Sequence, residues 1–236
     1  MTQSQILSAA FDLVIFDCDG VLVDSEIISC RTHSEGLTAA GYPITFEEVH
    51  RRFLGRSDVD ARAEIERDLG HALPDDFDEH LSAVLFSNFR SALQEIPGMA
   101  ATLAALTLPV CVASSGSPER IRLALGLTAL LPHFAPHIFS ASQVVNGKPA
   151  PDLFLFAASQ MNALPARCVV IEDSAAGVTG AVRAGMTVFG FHGGGHCGPD
   201  TAGALRAAGA HRTFSDMRQL PQLLAEVAAS MAEQAL

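Results

Sequence analysis

Residues Phe11–Ser25 read FDLVIFDCDGVLVDS, an apolar run that stops at two acids, Asp17 and Asp19, with one residue between them. The four consecutive apolar residues Leu13–Phe16 do not alternate with polar ones, which is the pattern of a strand buried on both faces of a parallel sheet. Comparable runs recur at Pro109–Ala113, Cys168–Ile171 and Thr187–Phe191, with a weaker one at His137–Phe139 and a short one at Arg212–Phe214. Between them helical periodicity occupies Met99–Leu106, Pro118–Leu125, Pro151–Ala163, Ala175–Ala184, Gly203–Ala208 and Met217–Ala228. Strand and helix in alternation predict an α/β fold with a doubly wound parallel sheet.

The stretch from Ile27 to Glu95 departs from this rhythm. It is polar, amphipathic and helical throughout, punctuated by Gly41-Tyr-Pro43, Leu54-Gly-Arg56 and Leu73-Pro-Asp75. Ile96-Pro-Gly98 marks the return. The expected organisation is therefore a core formed by residues 1–26 and 97–236, with a helical cap, residues 27–96, inserted after the first strand.

A chain of 236 residues is long enough to bury a sizeable core plus a small second unit. Its formal net charge of -11 and the lack of a Lys/Arg cluster argue against a nucleic-acid partner, because phosphate backbones are bound by basic stripes. The five cysteines are scattered without a C-x-x-C pair, so neither a disulfide framework nor a zinc site is expected. No apolar run of about 18 residues occurs, and MTQSQILSAA lacks a basic segment followed by a long apolar one. The expectation is a cytoplasmic protein with no membrane and no protein partner implied.

Each expected strand ends in polar residues: Asp17 and Asp19, then Ser114 and Ser115, Lys148 beyond the third, and Glu172 and Asp173 after the fourth. Ligands of open α/β sheets bind outside the carboxyl ends of the strands, so these positions should converge. Each has a plain reading by itself: Ser114 as a turn hydroxyl, Lys148 as a loop cation, Asp173-Ser174 as a helix cap. Gathered together, the carboxylates would repel one another unless a cation sat among them. Oxygen ligands without His or Cys favour Mg²⁺. Lys148, Ser114 and the amides of the helix opening near Ser117-Pro118 add donors for an anionic substrate.

With these residues in place, the chain resembles the haloacid dehalogenase superfamily of phosphohydrolases, in the subgroup with a helical cap after the first strand. The resemblance rests on DCDGVLVDSE (Asp17–Glu26), VASSGS (Val112–Ser117), GKPAPDLF (Gly147–Phe154) and VVIEDSAAGVTGAVRAGM (Val169–Met186), in the family's order and over essentially the whole chain. It implies that Asp17 is the nucleophile, forming an aspartyl-phosphate, and that Asp19 serves as general acid and then general base. It implies further that Mg²⁺ is held by Asp17, the backbone carbonyl of Asp19 and Asp173, with Glu172 a ligand directly or one layer back. Ser114 and Lys148 would hold the phosphoryl oxygens. Gly20 would let the chain turn tightly beside the metal.

The resemblance leaves several activities to weigh. Asp19 argues against a 2-haloacid dehalogenase, and the absence of lysine from Ile27–Glu95 argues against a phosphonatase. A β-phosphoglucomutase-like mutase shares all four motifs but would carry a cap histidine where this chain has Ser29, with His33 one turn further on. The expected function is a Mg²⁺-dependent phosphatase acting on a small-molecule phosphate ester, a sugar phosphate of the 6-phosphogluconate kind, with the mutase as the alternative. Arg52, Arg56 and Ser57 of the loop RRFLGRSDVD, with Arg31 behind them, are the expected substrate contacts of the cap, beside Ser115 of the core. In FHGGGHC, His192, His196 and Cys197 invite a zinc reading, but three glycines suit a pliable rim of the entrance better.

Overall fold

The computed structural model describes residue 7, residues 9–53 and residues 58–234. At its centre lies a parallel sheet of six strands: β1 (Leu13–Phe16), β2 (Val110–Ser114), β3 (Ile138–Ser140), β4 (Cys168–Glu172), β5 (Thr187–Phe191) and β6 (Arg212–Phe214). Their order is β3-β2-β1-β4-β5-β6, so the chain winds outward from β1 first to one side and then to the other. β1 is central and pairs in parallel with both β2 and β4, Phe16 standing between Val112 and Ile171. The strand that ends in Asp17 is therefore buried from every side, which is why its run is unbroken by polar residues.

The connections are helical: α5 (Met99–Ala105), α6 (Pro118–Leu127), α7 (Leu131–Phe134), α8 (Asp152–Gln160), α9 (Ala175–Arg183), α10 (Thr201–Ala207) and α11 (Leu220–Gln234). They cover the sheet on two faces. One cluster holds Phe11, Phe16, Val112, Ile171, Phe189 and Leu224. The other holds Leu13, Ile15, Leu153, Phe154, Val170 and Val178. Alternate residues of each strand thus serve opposite clusters. The short helix α7 and the 3₁₀ turns at Ala141–Gln143 and Pro165–Arg167 are elements too brief for periodicity to reveal.

Four helices lie between β1 and α5: α1 (Glu26–Ala39), α2 (Phe46–Phe53), α3 (Asp58–Leu69) and α4 (Phe77–Ala92). They bury an apolar cluster of their own, Cys30, Leu37, Ile44, Val49, Ile65 and Leu73. Two linkers lead into and out of this helical block, and they pair with each other: Val23 bridges Glu95, Asp24 N donates to Gln94 O at 2.9 Å and Ile96 N donates to Leu22 O at 2.9 Å. Among the described residues no helix is long and apolar enough to cross a membrane.

The last helix packs on the sheet of its own chain, with Leu220, Leu224 and Ala228 fully buried and Leu223 and Val227 against the same cluster. Leu224→Ala should lower the free energy of unfolding by about 2–5 kcal/mol, read from the urea midpoint.

Candidate active site

The carboxyl ends of β1, β2 and β4 bring Asp17, Asp19, Ser114, Glu172 and Asp173 together, and the loop after β3 adds Lys148. All six are buried, none more than 9% exposed. Lys148 Nζ donates to Asp17 Oδ1 at 2.7 Å and to Glu172 Oε1 at 2.6 Å, with its side chain 1% exposed. The other oxygen of Glu172 accepts from the backbone N and the hydroxyl of Ser174, both at 3.0 Å. Ser174 in turn caps α9, accepting from Gly177 N at 3.0 Å. A Cβ on Gly177 would lie 1.8 Å from Glu172 Oε1, so the glycine is the space in which that carboxylate sits.

Gly20 is needed twice over. Its φ is +78°, and a Cβ there would fall 1.8 Å from Asp173 Oδ2. The turn after Asp17 thus lays bare backbone against the second metal-binding candidate. On the opposite side Ser114 Oγ accepts from Gly116 N at 3.1 Å, and Ser140 Oγ donates to Gly116 O at 2.6 Å, fixing the turn that leads into α6.

Burial pushes the Asp17 carboxyl well above its usual range, with Glu172 and Asp173 adding to the rise and Lys148 opposing it. Asp173 is likewise raised by burial. For Lys148 burial disfavours the charge, yet Asp17 and Glu172 outweigh it and hold the ammonium above its ordinary value. One lysine does not satisfy this many acids. Asp17, Glu172 and Asp173 offer oxygen atoms that all lie within 4.8 Å of one another, a hard-donor cluster that fits a divalent cation. Glu26, at the start of α1, is pushed up to about 8 by burial and by Asp19 and Asp173.

Above the carboxylates a cavity of about 140 Å³ runs into the helical block. Asp17, Asp19, Ser114, Ser115 and Arg120 line it from the core, and Ser29, Leu37, Val49, Ile65, Leu73 and Leu85 line it from the helical block. Arg52 does not belong to this wall. Its guanidinium pairs with Glu64 at 2.9 Å and Asp68 at 2.5 Å and donates to Tyr42 OH at 2.6 Å, so the acids of α3 hold it and the expected substrate contact is corrected. Arg31 is exposed on α1. Arg56 and Ser57 lie outside the described residues.

Three side chains that spacing did not reveal complete the site. Arg120, in the first turn of α6, donates to Asp19 Oδ1 at 2.9 Å and to Ser29 Oγ at 3.0 Å. Ser25 donates to the same Asp19 oxygen at 2.5 Å. His196 Nε2 lies 3.0 Å from Asp173 Oδ2 with its side chain 1% exposed. Burial opposes its charge, but Asp173 and Cys197 push the imidazole up to about 11. The loop expected to be a pliable rim is thus packed into the site: Gly195 N donates to Asp24 Oδ1 at 2.9 Å, and the His196 ring meets His50 of α2 at 5.8 Å between centroids. The glycine run drew attention away from a histidine whose partner lies on a different strand.

A haloacid dehalogenase-like hydrolase family model matches residues 11–185. The chain belongs to that family of hydrolases. It is 33% identical over 213 residues to the 6-phosphogluconate phosphatase of Escherichia coli (strain K12), covering 90% of this chain and 94% of the relative. Among solved structures it is similar to a conserved haloacid dehalogenase-like protein of unknown function from Agrobacterium tumefaciens str. C58, with 41% identity, a TM-score of 0.78 and coverage of 92% and 99%. It is also similar to a HAD family hydrolase from Deinococcus radiodurans R1 with bound phosphate and sodium, with 36% identity, a TM-score of 0.72 and coverage of 94% and 97%.

Two outcomes follow from the charges. Lys148→Met leaves Asp17 and Glu172 without their shared cation, and should cost about 3–5 kcal/mol of unfolding free energy in metal-free buffer. Because Asp17 and Asp173 bind protons more tightly folded than unfolded, their contribution to stability is full below the ordinary carboxylate range and is lost as pH rises through the raised values. A divalent ion needs both deprotonated. The rise in Tm on adding Mg²⁺ should therefore grow as pH is raised through the elevated carboxyl range, measured by differential scanning fluorimetry.

Proposed function

We propose that this chain is a Mg²⁺-dependent phosphatase that hydrolyses a small phosphate ester, a sugar phosphate, through an aspartyl-phosphate on Asp17. Residues 27–96 serve as its cap, and residues 1–26 with 97–236 as its catalytic core. The observation that carries the reading is Asp17 at the buried end of β1, paired through Oδ1 with Lys148 and facing, with Asp19, a cavity between sheet and helical block. Its likeness to a 6-phosphogluconate phosphatase supports the substrate class.

Asp17, Asp173 and the Asp19 carbonyl would hold Mg²⁺, with Glu172 beside them. Bound there, the ion supplies positive charge that lets an anionic carboxylate approach an anionic phosphate. A free oxygen of Asp17 attacks phosphorus in line; the bond from phosphorus to the leaving oxygen breaks, and Asp19 passes a proton to that oxygen. The surroundings of Asp19 support this role. Its Oδ1 is held by Ser25 and Arg120, while Oδ2 faces the turn at Gly116, 3.6 Å from where a Cβ would stand. In the second half a water attacks the phosphorus of the aspartyl-phosphate, Asp19 takes its proton, and the Asp17 carboxylate leaves as it began. Ser114 and Lys148 donate to the phosphoryl oxygens through both steps.

At the position where a mutase would carry its cap histidine, Ser29 is buried and accepts from Arg120, while His33 Nδ1 is engaged with the Ser29 carbonyl at 2.7 Å. Water is the better acceptor in such a site. Phosphate release from a panel of sugar phosphates should require Mg²⁺ and fall to background in Asp17→Asn; Asp19→Asn should lower kcat by about 10²–10⁴-fold. Interconversion of hexose 1- and 6-phosphates in place of phosphate release would overturn the reading.

A further inference from the structure

We propose that His196 is a positioning residue for the carboxylate of Asp173 and is itself held by His50 of the helical block, so that Mg²⁺ binding and the seating of that block strengthen each other; this rests on the metal reading above. The core secures the other two carboxylates of the cluster directly. Lys148 bonds Asp17 and Glu172, and Ser174 bonds Glu172 a second time. Asp173 Oδ2, by contrast, is buried with no aligned hydrogen bond among the described residues. What stands against it is His196 Nε2, 3.0 Å away on a side chain that is 1% exposed. A carboxylate steered at one oxygen presents its other oxygen in a fixed direction, which is how groups one layer back from a metal tune its binding.

The position of this imidazole is set from outside the carboxylate cluster. Its Nδ1 is buried without a hydrogen-bond partner among the described residues, so no bond through that nitrogen orients the ring. Nε2 faces Cys197 Sγ at 3.4 Å as well as Asp173. Packing does the rest. The ring lies against bare backbone at Gly20 and Gly194, where a Cβ would fall 2.7 and 2.8 Å from its Cε1. From the helical block it meets the ring of His50, centre to centre at 5.8 Å. His50 stacks in turn on Phe46 at 6.2 Å, and Val49 beside it is buried in the apolar cluster of the block. The loop's backbone reaches the same side: Gly195 N donates to Asp24 Oδ1 at 2.9 Å, and a Cβ on Gly195 would come 3.2 Å from Ile27 Cδ1 in α1. His50 is thus one ring removed from Asp173, and a shift of α2 moves the group that steers a metal-binding oxygen. Coupling of this kind acts equally in both directions.

The experiment titrates Mg²⁺ into the full, metal-free chain by isothermal titration calorimetry, without substrate. His196→Ala should weaken binding by about 10- to 100-fold, and His196→Gln, which keeps a neutral N–H donor, should recover part of the loss. His50→Ala should weaken it by about 3- to 30-fold, although His50 is no part of the carboxylate cluster. The two losses should not add: His50→Ala placed on His196→Ala should cost nothing further. Hydrogen exchange reads the reverse direction, since Mg²⁺ should slow the amides of Phe46–Phe53 in the natural chain and leave them unchanged in His196→Ala. Should His196→Ala fail to fold, His196→Gln takes its place in both comparisons. If the natural chain binds Mg²⁺ and the His196 variants bind it equally or more tightly, the proposal is overturned. Independent, additive losses from His50 and His196 would overturn it too, leaving each a packing role of its own. A natural chain that binds no Mg²⁺ would instead bring down the metal reading beneath it, and the coupling with it.

Discussion

The ammonium of Lys148 between Asp17 and Glu172 is the contact on which the rest of the site depends. Carboxylates ending two neighbouring strands of a parallel sheet face the same buried space, and without a shared cation their repulsion and desolvation would work against the fold. The consequences spread through the local chain. Glu172 must be held by Ser174, Ser174 caps α9, and the first turn of that helix must omit a side chain at Gly177 to leave the carboxylate room. Gly20 does the same for Asp173 from the other side. Short-range sequence choices here answer to an electrostatic requirement set by strands far apart in the chain.

That same requirement explains why the cluster is incomplete as protein alone. Raised carboxyl groups on Asp17 and Asp173 mark a site whose negative charge exceeds its lysine, and whose oxygen atoms are close enough to share a further cation. A His placed against Asp173 partly relieves the imbalance. Through its ring contact with His50 and the bond from Gly195 to Asp24, the loop carrying it also touches the helical block and the linker that leads to it.

Asp19 occupies the junction between sheet and helical block. Ser25, at the mouth of α1, and Arg120, at the mouth of α6, meet on a single oxygen of its carboxylate. The linkers beside it are stitched to each other by backbone hydrogen bonds, so the chain leaves and re-enters the core at one place. The residue given the proton transfer is thereby set where the cavity opens, with its second oxygen directed at the turn from Ser114 to Gly116.

The sequence by itself determined the sheet, the helical insertion and the polar strand ends. Leu13–Phe16 and Thr187–Phe191 were legible to the residue because a strand buried on both faces has no freedom to be polar. Asp17, Asp19, Ser114, Lys148, Glu172 and Asp173 were legible because each directly follows or ends such a run or stands in a motif. Only the tertiary structure decided the partners that cross between elements. Arg52 looked like a substrate contact from its loop, yet α3 brings Glu64 and Asp68 onto it. Arg120 had no local signal, and His196 was read with its glycine-rich loop, since what gives each its contact is a carboxylate more than twenty residues away. Periodicity reports which face of an element is buried; it carries no record of which charged group from another element will meet it there.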